Sequence, residues 1–146
     1  MSDRTSVVAA VLLAAASGAY AKAPCPLPVI DAVGKAHPGA RIASCTAEKE
    51  HGKEQYEVKL KFRKTRLELD VAPDGAILQT EETLTLASVS AQVLSAFSAR
   101  YPKAKATRAE KQTKADGKVT YELTFGRGRK RREATFDEAG KFVEEE

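Results

Sequence analysis

Histidines, cysteines and paired carboxylates are the residue types from which this chain could build reactive chemistry, and each set is small or wrongly spaced. Of 146 residues only His37 and His51 are histidines, and neither has a nucleophile motif such as G-x-S-x-G beside it. His37 falls on the apolar stripe of an expected helix, so packing is its expected role. The two histidines and two cysteines lack C-x-x-C or H-x-x-x-H spacing, which argues against a metal site. Glu57 and Glu122 could pass for a catalytic carboxylate pair. Strand alternation places both on a charged face, where solvent would prevent burial from tuning them. Asp74-Gly75 lacks the acidic ladder of a calcium loop. Gly126-Arg127-Gly128 joins two strands instead of opening a helix, as a phosphate loop would. The expectation is a binding protein, with no catalytic residue, no metal and no cofactor.

Charge is distributed unevenly along the chain. Residues 103–132 hold eleven Lys/Arg against three Asp/Glu, and 133–146 hold six acids against Lys141, so the formal net charge of +4 conceals a basic region beside an acidic tail. The basic maximum is Arg127-Gly128-Arg129-Lys130-Arg131-Arg132, at an expected hairpin; the corresponding hairpin earlier in the chain carries Arg63, Lys64 and Arg66. Charged tips of this kind keep strand edges soluble or contact an acidic protein, an anionic lipid or a glycan. Nucleic acid is not expected, because no exposed aromatics interleave with the charges for base stacking. The tail Glu144-Glu145-Glu146 is expected to fold back on the basic patch.

The elements that position these residues follow from patterning. Arg4, the apolar run Val7–Ala16 and Ala19-Tyr20-Ala21 give residues 1–21 the form of a secretory signal peptide. The mature chain has no segment of membrane-spanning length. Export favours a disulfide between Cys25 and Cys45, the only cysteines. Val29, Ile30, Val33 and His37 lie at helical spacing, and so do Val89, Val93, Leu94, Phe97 and Tyr101 behind Ser88 or Ser90 as a cap. Strict alternation follows each helix. Tyr56, Val58, Leu60 and Phe62 oppose Glu57, Lys59 and Lys61; Leu67, Leu69 and Val71 oppose Glu68 and Asp70; Tyr121, Leu123 and Phe125 oppose Glu122 and Thr124. The two series match at an offset of 64 residues, then 65. The expected fold class is α+β: two tandem repeats, 22–83 and 84–146, each a helix packed on a four-stranded antiparallel β-meander.

One set of short motifs occurs in both series. His37-Pro38-Gly39-Ala40 closes the first helix, Tyr56-Glu57-Val58 opens a strand, and Asp74-Gly75-Ala76-Ile77-Leu78 makes the last hairpin. Tyr101-Pro102-Lys103-Ala104, Tyr121-Glu122-Leu123 and Ala139-Gly140-Lys141-Phe142-Val143 are their counterparts, departing at Lys103 and Ala139. Over 27–82 and 87–146 the chain resembles the PepSY-like domains of exported bacterial proteins, which are related in fold to the tandem-repeat β-lactamase inhibitory proteins. The resemblance implies a periplasmic or secreted protein that inhibits or modulates an enzyme of the envelope or exterior, and it carries over no catalytic residue. The candidate contact residues are Glu57, Lys59, Lys61, Glu68 and Asp70 on the polar sheet face, with Arg127, Arg129, Lys130, Arg131 and Arg132 on the basic hairpin. The alternative is an envelope adapter held to anionic surfaces by those hairpins.

Overall fold

Two prolines and a serine set where the helices begin. The computed structural model describes residues 25–146; the expected signal peptide, 1–21, lies outside them. Pro26 accepts the first turn of α1 (Leu27–Ala36) through its carbonyl, with Pro28 in the opening turn, where its missing N–H costs nothing. Ser90 caps α2 (Ala91–Arg100), its hydroxyl accepting from the Val93 N–H at 3.3 Å. Between and after the helices run β1 (Arg41–Glu50), β2 (Lys53–Phe62), β3 (Thr65–Val71), β4 (Ile77–Leu84), β5 (Ala106–Lys114), β6 (Val119–Phe125), β7 (Arg132–Asp137) and β8 (Phe142–Glu145).

All eight strands form one antiparallel sheet in chain order. This corrects the expected fold class, in which each of two repeats holds a four-stranded meander of its own. The reason lies in β4. Gln79, Thr80, Glu81, Glu82 and Thr83 offer no large apolar side chain, yet the strand has a second row of backbone donors and acceptors to satisfy. β5 takes that row, in register from Gln79↔Lys114 to Leu84↔Ala109.

On one face, α1 covers Val58, Leu60, Leu67, Leu69 and Val71 with Val29 and Val33. α2, with Val89, covers Ala109, Leu123, Phe125, Ala134 and Phe136 using Val93 and Phe97. At the offset found in the sequence, Val33 corresponds to Phe97, Leu60 to Phe125 and Val71 to Phe136, while Leu69 corresponds to the smaller Ala134. The second core is therefore more aromatic, with Phe97 edge-on to Phe125 at 5.3 Å and to Phe136 at 6.4 Å. Between the cores the same face is polar: Leu69 pairs with Thr80 and then Thr113, and Leu67 with Glu82 and then Lys111. Ile30, expected on the apolar stripe of α1, is 39% exposed, because Val29 and Val33 already fill the contact with β2 and β3.

Each helix is also held from the far hairpin of its half. A Cβ on Gly75 (φ +91°) would lie 2.6 Å from the Pro28 carbonyl oxygen, and one on Gly140 (φ +81°) 2.9 Å from that of Gln92. Both positions need glycine, for the left-handed backbone and for the close approach. Cys25 and Cys45 are joined, with Cα atoms 5.6 Å apart, tying the entry to α1 to edge strand β1. Cys25 corresponds to Val89 and Cys45 to Ala109, so the covalent link stands where the second half has an apolar contact.

Breaking the Cys25–Cys45 link, which spans 20 residues, is expected to cost about 3 kcal/mol of stability, read as a lower urea midpoint with reductant or in Cys25→Ser/Cys45→Ser. A midpoint that reductant does not move would contradict this. Gly75→Ala is expected to destabilise by more than about 1 kcal/mol, and a neutral result would show that the contact with α1 relaxes freely.

Candidate functional site

Among the described residues, no element covers the face of the sheet turned away from the helices. Register carries the predicted residues onto it together: Glu57 pairs with Asp70, Lys59 with Glu68 and Lys61 with Arg66. Continuity of the sheet extends the rows beyond them. Asp70 pairs with Gln79, and Glu68 with Glu81; Glu81 pairs with Gln112 and Thr83 with Glu110; Glu110 pairs with Glu122. Carboxylates therefore stand on every central strand of one surface.

These side chains form a polar layer of several hydrogen-bonded groups. The Lys59 ammonium bridges Glu57 at 3.0 Å and Glu68 at 3.4 Å. Gln79 donates to Glu81 at 2.8 Å. Gln112 donates to Glu81 at 3.5 Å and to Glu122 at 3.2 Å, and accepts from the Thr120 hydroxyl at 3.0 Å. Arg108 pairs with Glu110. At the β1 end Gln55, only 5% exposed, donates to Glu48 and Glu50 at 2.7 and 3.0 Å. The long side chains lie over Thr120, Thr124 and Thr135, which are buried although they face away from the helices. A cleft of about 310 Å³ opens in the middle of this layer, edged by Lys59, Lys61, Arg66, Glu68, Glu81 and Glu110.

Partial burial among like charges raises proton affinity across this layer. Asp70 is pushed up to about 6, first by burial and then by Glu48, Glu50, Glu68 and Glu57. Glu81 rises to about 7 through burial and then Glu110, Glu68 and Glu122, against the opposing hydrogen bond from Gln79. Glu122 rises to about 7 through burial, Glu133, Glu110 and Glu146. Burial and Glu57 raise Glu68 as well. The expectation that solvent keeps Glu122 untuned is thereby corrected: it is half-buried, because strands flank it on both sides and Glu110 lies directly opposite. Glu81, Glu110 and Gln112 were missed in the sequence. Their signal was the unbroken polar run of β4, which reads as a weak edge strand until β5 is placed beside it.

The other predicted residues lie elsewhere. Arg127, Arg129, Lys130 and Arg131 occupy the β6–β7 connection, which contains a 3-10 turn at Gly128–Lys130, and Arg132 opens β7. Arg131 pairs with Glu133 and Arg132 with Glu145. Of the acidic tail, Glu145 is the residue that reaches the basic patch. It accepts from Tyr101 and Arg132, which together lower its pKa. Glu146 instead pairs its backbone with that of Glu133. His37 packs edge-on to Phe62 at 5.5 Å at the end of α1, and His51 is an exposed turn residue.

A structure described as a BLIP-like protein from Bacteroides fragilis superposes with a TM-score of 0.68 over 85% of this chain and 86% of its own, at 20% identity. The chain shares its fold with a BLIP-like protein. A DUF2874 family protein from Bacteroides uniformis gives a TM-score of 0.70 at 13% identity, and a protein from Bacteroides eggerthii described as periplasmic gives 0.70 at 16%. Each of these two alignments covers 84% of this chain and 88% of the other. The expected periplasmic localisation agrees with that last description, and no helix among the described residues is long and apolar enough to cross a membrane. No family model matches the sequence, and no curated protein does.

The raised carboxylates fix a pH dependence of stability. Free Glu titrates near 4.5 whereas Glu81 and Glu122 hold protons up to about 7, so the folded chain binds more protons between these values. Their contribution is complete below pH 4.5 and is lost as pH rises through 7. Each is expected to account for roughly 1 kcal/mol after discounting for solvent screening. Urea denaturation at pH 5 and pH 8 checks this, and Glu81→Gln/Glu122→Gln should flatten the difference. An unchanged difference in that variant would rule the two residues out as its source.

Proposed function

We propose that this chain is an exported, non-catalytic PepSY-like protein of the periplasm that works by docking its helix-free sheet face against another protein. The observation that carries this reading is the layer centred on Glu81, Gln112 and Glu122. It is a broad polar surface that no element among the described residues covers, and its carboxylates are held together at raised proton affinity. The opposite face is consumed by the two helices. Acids outnumber bases along the open rows, so the fitting partner presents lysines and arginines. The BLIP-like neighbour supports an envelope enzyme as that partner, inhibited or modulated by the docked sheet.

Capture from periplasmic extract is expected to recover a protein at pH 7.5 whose retention falls at least tenfold with Glu81→Lys/Glu122→Lys and falls also at pH 5.5. Arg127→Ser/Arg129→Ser should leave that retention intact. A protein retained equally by all three forms, or retained better at pH 5.5, would sink the reading.

A further inference from the structure

The β6–β7 connection and the segment leaving α2 face one another across a crevice of about 870 Å³ at one end of the second half. Lys103 and Lys105 stand on one wall; Arg127, Arg129, Lys130, Arg131 and Arg132 stand on the other. No acidic side chain lines it. Its floor includes Tyr101 and Phe125, with ring centroids 4.6 Å apart. Arg132 lies over both rings, 5.5 and 5.0 Å from their centroids, and is neutralised by Glu145; Arg131 is neutralised by Glu133. The remaining five cations, Lys103, Lys105, Arg127, Arg129 and Lys130, are exposed, and among the described residues no acid pairs with them. The matching hairpin of the first half is shorter. It turns directly at Arg63-Lys64, and Arg63 lies over Phe62, 5.1 Å from the ring centroid.

We propose that this crevice binds a flexible chain of closely spaced phosphate groups. Unpaired cations on facing walls repel one another, and an anion between them relieves that repulsion from both sides at once. Guanidinium groups fit phosphate oxygens in pairs, while the lysines add point charge. The volume is too large for one phosphate and suits several in succession. Phe125 in the floor is buried and is not available to enter a bilayer. Nor does the site offer an apolar wedge to insert, since the exposed large apolar residues Leu27, Ile30, Leu78 and Val143 all lie outside the crevice lining. This site is independent of the docking face.

Isothermal titration with inorganic tripolyphosphate and long-chain polyphosphate tests it, with phosphatidylglycerol vesicles and polyglutamate of equal charge as the competing arms. Polyphosphate is expected to bind at least tenfold more tightly than either competitor and to weaken steeply with salt. Arg127→Ser/Arg129→Ser/Lys130→Ser and, separately, Lys103→Ser/Lys105→Ser should each reduce that binding at least tenfold, with melting temperatures unchanged as proof of folding. The proposal is overturned if the Lys103/Lys105 variant binds like the parent, because only one wall would then be engaged. It is equally overturned if vesicles or polyglutamate match polyphosphate.

Discussion

The pairing of β4 with β5 is the contact on which the rest of the molecule depends. Six residues on each strand meet in register, from Gln79 with Lys114 to Leu84 with Ala109, and beyond Leu84 almost no apolar side chain supports them. The join rests on backbone hydrogen bonds and short polar side chains, where the flanking strands rest on buried valine, leucine and phenylalanine. Individual hydrogen bonds contribute modestly to net stability. An unpaired edge in the middle of the molecule would still leave a row of donors and acceptors open to aggregation. Joining the edges removes that hazard and sets the span of the surface.

That span changes the chemistry of the acids. A carboxylate on a narrow meander has water on one or both sides and behaves as an ordinary surface group. On a sheet of eight strands Glu81 and Glu122 have neighbours on both sides, with Glu110 between them. Desolvation and repulsion then act together on these groups. Raised proton affinity is often taken as the mark of an active site. Here it follows from the width of a polar surface, and a protonation-sensitive contact face is what such a surface can provide.

Much of this was legible in the chain, because the signals were local. Alternation through Tyr56–Phe62 and Leu67–Val71 fixed which side of the sheet each residue occupies, and residue type and spacing pointed to the Cys25–Cys45 link and to a cap at Ser88 or Ser90, of which Ser90 is used. The joining of the halves was not legible, since it depends on β4, whose polar run gives no periodic apolar signal to assign a partner. Alternation alone puts Glu122 on a solvated face, and nothing local shows that Gln112 pairs with Glu81 or Glu110 with Thr83 until β5 lies beside β4. The crevice was half visible. The arginine run stood out, but its opposite wall, Lys103 and Lys105, approaches only through the turn that ends α2.

The two apolar clusters share a sheet but have no residue in common, and the strip between them, Thr80, Glu82, Lys111 and Thr113, is polar. Such a molecule has a built-in fault line. Subglobal opening can proceed in one half while the other keeps its protected amides. The covalent staple belongs to the half with the less aromatic interior, where it slows the fraying of edge strand β1, and amide exchange would therefore grade from the two edges toward two maxima instead of one.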